Sequence, residues 1–182
     1  MQRIGTRLGA ALATIGLLGT SLPARGVELG DGSTAFTRPP DLVGASTTFN
    51  STYFWSATYY FTLNLLENAG EPLGQVTIAQ AEGTGSPRFR GGDVRAFEGT
   101  RNRRGAELPV QARVDYRNRT TTVIFDPPVP PGRSVTIEIY PVRNPQFGGT
   151  YLYGVTAFPP GDKPRGQFIG YGRIDIHERH FW

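Results

Sequence analysis

Apolar and polar residues alternate with a period of two along most of the chain, and this pattern constrains the fold more than any other feature. The stretch from residue 110 to residue 125 shows it twice, in two alternating runs joined by Arg117-Asn118-Arg119. Because successive side chains of a strand point to opposite faces, such alternation is typical of half-buried antiparallel strands. We therefore predict a β-hairpin over Val110–Phe125. Similar runs lie at Tyr59–Leu65, Gln75–Ile78, Val135–Ile139, Tyr151–Val155 and Phe168–Ile176.

Prolines and glycines separate these runs, and the densest group lies in "IFDPPVPPGRSVTI". Proline donates no backbone hydrogen bond, so it cannot lie inside a central ladder. We interpret Pro127, Pro128, Pro130 and Pro131 as an extended crossing between two strands, and a polyproline recognition motif is the alternative. The segment Gly83–Gly92 is interpreted as a long loop. About seven or eight short strands with such turns predict an all-β, immunoglobulin-like antiparallel β-sandwich.

The first 26 residues have the features of a secretory signal peptide. Arg3 and Arg7 precede an uncharged apolar stretch, and Ala24 and Gly26 are small residues suited to cleavage after residue 26. The apolar stretch is shorter than the roughly 20 residues that span a bilayer, and a retained membrane anchor is the alternative. We therefore expect residues 1–26 to be a signal peptide and residues 27–182 to form a single β-sandwich domain without a transmembrane span.

Charge and cysteine content exclude several classes of function. The formal net charge is +4, from 19 basic and 15 acidic residues. Arg3, Arg7 and Arg25 lie in the predicted signal peptide, which has no acid, so 16 basic and 15 acidic residues remain after it, a balance of +1. We therefore expect no nucleic-acid partner. The chain has no cysteine, which excludes thiol catalysis and cysteine-ligated metals.

Several segments in one order carry a resemblance to a known family. They are "ATYYFTLNL", "ENAGEPL", "AFEGTRNRRG", "FDPPVPPG", "PVRNPQFGGTYLYGVTAFPPG" and "GQFIGYGRI". Together they resemble a domain family of unknown function found in cyanobacterial exported proteins, over almost the whole chain after residue 26. The resemblance implies a signal peptide, a compact β domain and a location in the cell envelope or outside the cell. It implies no activity and no catalytic or binding residues.

Residues for catalysis or metal binding are sparse. The two histidines, His177 and His180, lie within the last six residues beside Asp175 and Glu178. No serine lies in a G-x-S-x-G turn. We therefore expect no catalytic residue, no metal and no cofactor. A hydrolase acting on envelope sugars through loop carboxylates is an alternative, because sequence spacing does not show how far apart two carboxylates lie. The candidates would be Glu67, Glu71, Glu82, Asp93 and Glu98.

Arginines are dense between residues 88 and 104, whereas the chain has only one lysine, Lys163. The planar fork of arginine binds carboxylate, sulfate and phosphate through two parallel hydrogen bonds. We therefore predict that Arg101, Arg103 and Arg104 bind an anionic surface partner. A solvated loop is the alternative interpretation.

Aromatic residues form the second candidate binding group. Trp55 lies in "TYFWSATYY", and Tyr151 and Tyr153 lie in "GGTYLYG". Exposed rings of these residues would stack on the flat faces of sugars. The alternative is that the rings fill the core, where aromatic residues contribute most burial.

The sequence thus predicts an exported, non-enzymatic module of the cell envelope or extracellular matrix. Its location would be the periplasm, the outer cell envelope or the extracellular space. Its partners would be acidic polysaccharide or other envelope components. A polysaccharide-binding domain with a defined ligand and an envelope-sugar hydrolase are the two alternatives.

Overall fold

A computed structural model of the chain describes residues 27–28 and 32–179. The predicted signal peptide, residues 1–26, and His180 lie outside them. The described residues contain no helix, and hence none that is long and apolar enough to cross a membrane. The strands in this part of the chain are β1 (Val27–Glu28), β2 (Thr34–Ala35), β3 (Asp41–Thr47), β4 (Tyr59–Leu65), β5 (Leu73–Glu82), β6 (Arg88–Thr100), β7 (Arg103–Leu108), β8 (Val110–Asp115), β9 (Thr120–Val129), β10 (Arg133–Arg143), β11 (Gly149–Phe158) and β12 (Gln167–Ile176).

Two five-stranded antiparallel sheets face each other. The first sheet has the order β3-β4-β10-β6-β7, and the second has the order β12-β11-β5-β9-β8. This arrangement confirms the predicted immunoglobulin-like β-sandwich, with ten strands in the two sheets instead of seven or eight. The unpredicted strands β3, β6 and β7 all belong to the first sheet. The predicted long loop at Gly83–Gly92 is wrong in its second half, because β6 begins at Arg88.

The alternating apolar residues of both sheets meet between them. In β4, Tyr59, Phe61, Leu63 and Leu65 are buried while the residues between them are half-buried. The predicted hairpin is confirmed, since Val110 pairs with Phe125 and the register continues to the turn. The period-two pattern therefore located the core correctly. Other buried core residues include Val76, Ile78, Val123, Val135, Ile137, Ile139, Tyr151, Tyr153, Val155, Ile174 and Ile176.

The proline segment connects the two sheets. Strand β9 lies in the second sheet and β10 lies in the first. On β5, Leu73 pairs with Val129 and Gln75 pairs with Ile124, so residues 125–128 of β9 form a bulge opposite Gly74. Pro127 and Pro128, which have no N–H to donate, lie in this bulge. Gly132 then turns the chain with a φ of 82°. The interpretation as a crossing between strands is confirmed for Pro130 and Pro131, which lie between β9 and β10, and is wrong for Pro127 and Pro128, which lie within β9.

Candidate functional site

The outward-facing side chains of the first sheet place arginines over aromatic rings. Glu138 of β10 pairs with Tyr60 on one side and with Arg95 on the other, so all three share the outer face. The guanidinium carbon of Arg95 lies 5.9 Å from the centroid of the Tyr140 ring. That of Arg101 lies 4.7 Å from the Tyr60 ring. Both distances are within the range of a cation–π interaction.

Arg104 is held by an acid that is almost completely buried. Its Nη1 atom donates to Oε1 of Glu138 over 2.7 Å, and the exposed fractions of the two side chains are 45% and 3%. The guanidinium lies over the Phe97 ring, and the Tyr140 hydroxyl donates to Oε2 of Glu138 over 3.0 Å. The hydrogen bond to Glu138 raises the pKa of Arg104 above its ordinary value. Burial, and then the same carboxylate, raise the pKa of Tyr140 to about 12.

The three predicted arginines lie on one turn but make different contacts. Arg101 lies in the turn between β6 and β7, and its Nη1 atom donates to the backbone oxygen of Thr47 over 3.2 Å. Arg104 is engaged by Glu138. Arg103 is exposed and makes no ion pair or side-chain hydrogen bond within the described part of the chain. Only Arg101 and Arg103 therefore have donors that face solvent without an internal acid.

A second arginine–aromatic group lies at one end of the same sheet. The loop between β3 and β4 carries Tyr53 and Trp55, whose exposed fractions are 46% and 61%. Arg143 is the last residue of β10, and an isolated bridge pairs it with Trp55. Its guanidinium carbon lies 5.3 Å from the Tyr53 ring and 5.7 Å from the Trp55 ring. We call Tyr53, Trp55 and Arg143 the loop site.

The side chain of Asn144 fixes the backbone beneath the loop site. Asn144 is buried, and its Nδ2 atom donates to the backbone oxygens of Phe49 and Ser51 over 2.9 Å each. Its Oδ1 atom accepts from the Tyr59 hydroxyl over 3.0 Å. Its backbone N–H donates to the oxygen of Phe54 over 2.9 Å. One amide thus ties the loop both to the core and to the end of β10.

The loop adopts an uncommon backbone conformation at two positions. Tyr53 and Ser56 have φ angles of 55° and 64°, which residues other than glycine adopt only where their surroundings hold them. The N–H of Tyr53 donates to Pro145 over 3.1 Å, and that of Thr52 donates to His177 over 2.8 Å. These bonds from neighbouring segments support the conformation in which the two rings reach solvent.

Tyr151 and Tyr153 are in the core, which removes them from the candidate site. Their exposed fractions are 1% and 2%, because alternate residues of β11 face the other sheet. The Tyr153 ring packs edge-to-face against Phe61, with the centroids 5.6 Å apart. The Tyr151 hydroxyl lies 2.6 Å from the backbone oxygen of Thr84. Neither ring offers a face to a sugar, and burial raises the pKa of both hydroxyls.

Two acidic residues of the described chain, Asp175 and Glu98, are engaged by arginines. No group of three or more histidines and carboxylates that could hold a metal ion occurs among residues 27–28 and 32–179. Asp175 accepts from the Thr150 hydroxyl over 2.7 Å and from Nε of Arg173 over 3.0 Å. The hydrogen bond from Thr150, and then the one from Arg173, lower the pKa of Asp175 below its ordinary value. Oε2 of Glu98 lies 3.4 Å from Nη1 of Arg133.

Trp55 was predicted from the sequence, whereas Tyr53 and Arg143 were not. The segment "FNSTYFWS" has four rings close together outside any period-two run, and this density was a usable signal for an aromatic surface. Arg143 had no such signal, because its contact with the loop depends on the sheet register that brings Trp55 beside the end of β10.

Comparisons with known proteins identify a matching family model and several solved structures of low sequence identity. A family model described as "Protein of unknown function (DUF2808)" matches residues 33–176. No curated protein matches the chain.

Similar solved structures include the group B streptococcus pilus 2b backbone protein, with 12% identity, a TM-score of 0.45 and coverage of 73% of this chain and 56% of that chain. The collagen binding subdomain of the Enterococcus faecalis surface protein ACE has 7% identity, a TM-score of 0.42 and coverage of 76% and 99%. The C-terminal domain of the Streptococcus pyogenes antigen I/II-family protein AspA has 11% identity, a TM-score of 0.45 and coverage of 74% and 46%. These values carry no inference about what the chain binds.

Proposed function

The chain belongs to the DUF2808 family of proteins of unknown function, and we propose that it is an exported, non-enzymatic module of the cell envelope or extracellular matrix that binds acidic polysaccharide. The observation that carries the proposal is the set of guanidinium groups stacked on rings along the first sheet. Arg95, Arg101 and Arg143 each lie within 6 Å of a ring centroid. None of the three makes an ion pair within the described residues.

Stacking prepares an arginine to bind an anion. The ring covers one face of the guanidinium, whereas the N–H donors project from its edge, in the geometry that matches a carboxylate. A guanidinium already held by its ring loses less conformational entropy when the ligand binds. Several such groups along one face suit a polymer that repeats its negative charge, because each further contact forms at a high effective concentration.

The N-terminal residues and the paired carboxylates support the parts of the proposal that concern export and the lack of catalysis. The features of residues 1–26 support export, because a charged start, a short apolar stretch and small residues before the cleavage point are typical of a signal peptide. In the described part of the chain, Glu98, Glu138 and Asp175 are each engaged by an arginine. Of the loop carboxylates named for the hydrolase alternative, Glu98 is thus already paired with an arginine, Arg133.

Co-sedimentation of the purified protein with isolated cell-wall peptidoglycan and exopolysaccharide, at low and high salt, tests the proposal. We expect saturable binding that weakens as salt rises. The double variant Arg95→Gln/Arg101→Gln should weaken it about tenfold or more, since each charge-assisted hydrogen bond contributes about 1.5–3 kcal/mol. Arg113→Gln, an exposed arginine on β8 of the second sheet, is the matched control. Absence of binding at either salt would contradict the proposal.

A further inference from the structure

The loop site places two solvent-exposed aromatic rings, Tyr53 and Trp55, beside one cation, Arg143. Trp55 has an exposed fraction of 61% although Arg143 lies 5.7 Å from its ring centroid, so much of the ring remains uncovered. Tyr53, also partly exposed, flanks the same guanidinium at 5.3 Å. An exposed indole and phenol beside one another offer flat apolar faces with polar edges, a surface on which a sugar ring packs well.

Arg143 has donors that nothing in the described chain uses. It is half-buried and contacts two rings, but it makes no ion pair or side-chain hydrogen bond within the described residues. The half-buried position lowers the effective dielectric around the guanidinium, which strengthens its attraction for an anion compared with a fully solvated arginine. The two rings also flank the guanidinium carbon at 5.3 Å and 5.7 Å, which limits the positions that the group can take.

The loop that carries the rings is built to stay in place. Tyr53 keeps a φ of 55° against the preference of a tyrosine, while Asn144 and Pro145 hold the backbone around it. Strain of this kind persists where the surrounding structure fixes the conformation, and such positions are concentrated at ligand sites. A ligand would therefore meet rings that are already in position, which reduces the entropy lost on binding.

We propose that the loop site binds one uronate unit of an acidic polysaccharide, with the sugar ring on Trp55 and its carboxylate on the N–H edge of Arg143. This inference rests on the proposed function and assigns its specificity to these residues. Polar residues interrupt the rings of the loop, since Asn50, Ser51 and Thr52 separate Phe49 from Tyr53. A loop that enters a membrane surface would present a more continuous apolar face, so a sugar acid fits this pattern better than a lipid.

Calorimetric titration of the purified full-length protein with tetragalacturonate tests the assignment. We expect Trp55→Ala and Arg143→Gln each to weaken binding about tenfold or more. Arg143→Lys should lose nearly as much as Arg143→Gln, because an ammonium group lacks the planar fork. The methyl ester of the same oligosaccharide, which keeps the sugar rings but has no carboxylate charge, should bind weakly to the parent protein.

Two matched variants control for general loss of charge or of an exposed ring. Arg113→Gln removes an exposed arginine from β8, and Phe168→Ala removes an exposed ring from β12, both in the second sheet. Both should bind tetragalacturonate like the parent. Unchanged thermal unfolding of the loop variants would show that their losses do not come from a disrupted fold.

The outcomes separate this inference from the proposed function. If Trp55→Ala and Arg143→Gln bind tetragalacturonate like the parent while Arg95→Gln/Arg101→Gln does not, the loop assignment is overturned and the proposed function stands. If the parent binds neither tetragalacturonate nor the envelope polymers, both are overturned. Binding to phosphatidylglycerol vesicles that requires Trp55, with no saccharide binding, would overturn both and assign the loop site to a membrane surface.

Discussion

Arg104 on β7 and Arg143 on β10 both lie over aromatic rings, yet their electrostatic surroundings are opposite. The guanidinium of Arg104 lies 4.2 Å from the Phe97 ring centroid and donates to the buried carboxylate of Glu138. That of Arg143 contacts two partly exposed rings and no acid in the described chain. A ring contact alone does not distinguish a structural arginine from a binding one. The difference lies in whether an internal carboxylate already accepts from the N–H edge.

The two regions are also stabilised in different ways. Around Arg104, neighbouring strands bring the groups together, since β10 lies between β4 and β6 and β7 pairs with β6. Around Arg143, hydrogen bonds from Asn144 hold an irregular loop. Substitutions should therefore separate the two roles. Changes at Arg104 should affect stability more than binding, whereas changes at Arg143 should affect binding more than stability.

The largest stability effect should come from the residue beneath the loop site. Asn144→Ala removes three side-chain hydrogen bonds, one of them to the buried Tyr59 hydroxyl. At about 1 kcal/mol each, we expect the free energy of unfolding to fall by about 3 kcal/mol. Urea denaturation measures this change.

Arg143→Ala should lower the free energy of unfolding by only about 0.5–1 kcal/mol, the usual contribution of a solvent-accessible cation–π contact.

Asn50→Ala is the matched control for that experiment. Asn50 lies in the same loop and is exposed, and its backbone oxygen, which the substitution keeps, accepts from His177. We expect a change within about 0.5 kcal/mol, as for most surface substitutions. If Asn144→Ala were no more harmful than Asn50→Ala, the loop would not depend on the buried amide, and the contrast between the two regions would disappear.

Loss of Arg104 should have the next largest effect. Arg104→Ala leaves the Glu138 carboxylate buried with only the Tyr140 hydroxyl as a donor. Removing one partner of a fully buried pair costs about 3–5 kcal/mol. Because Arg104 is itself about half exposed, solvent screens part of that loss, and we expect about 2 kcal/mol in urea denaturation.

Neutralising the acid tests the reason for that loss. The double variant Arg104→Ala/Glu138→Gln should recover much of the stability, because it no longer buries an unpaired charge. Arg103→Ala, at the neighbouring exposed position, should change the free energy of unfolding by less than about 0.5 kcal/mol. Equal losses for Arg103→Ala and Arg104→Ala would mean that the ion pair contributes nothing beyond a surface arginine.

The sequence allowed the fold class to be predicted wherever one face of a strand is buried. Residues 110–125 alternate clearly, and the hairpin predicted over Val110–Phe125 forms, with these two end residues paired to each other. Strands β3 and β7 were missed because they are edge strands with mostly exposed or half-buried residues, so their alternation is weak. In β6, glycines interrupt the pattern, and Gly99 with a φ of 96° marks a bulge opposite β7.

The candidate site was predicted less well because it depends on contacts between distant segments. The sequence showed that Arg101 and Arg104 are close in the chain. It did not show that Arg104 forms an ion pair with Glu138 from another strand. Tyr151 and Tyr153 could have been assigned to the core, since they lie in phase with Val155 on one face. Family membership is confirmed, whereas cyanobacterial origin, export and the polysaccharide partner remain predictions.

The smallest expected effect is a change in the titration of Tyr140, which reports on the carboxylate beside Arg104. Its raised pKa means that the folded state favours the neutral phenol, so this contribution to stability is complete below pH 10.0 and is lost as the pH rises through about 12. In Glu138→Gln, the pKa should fall from about 12 towards 10.0 without reaching it, because burial, the larger cause, remains. The absorbance of the phenolate as a function of pH, compared between the parent and Tyr140→Phe, measures the titration of Tyr140.

Glu98→Gln, which removes an acid paired with Arg133 instead, should leave the titration step of Tyr140 unchanged. An unchanged step in Glu138→Gln would show that the buried carboxylate does not act on its surroundings, and the electrostatic distinction between Arg104 and Arg143 would then fail.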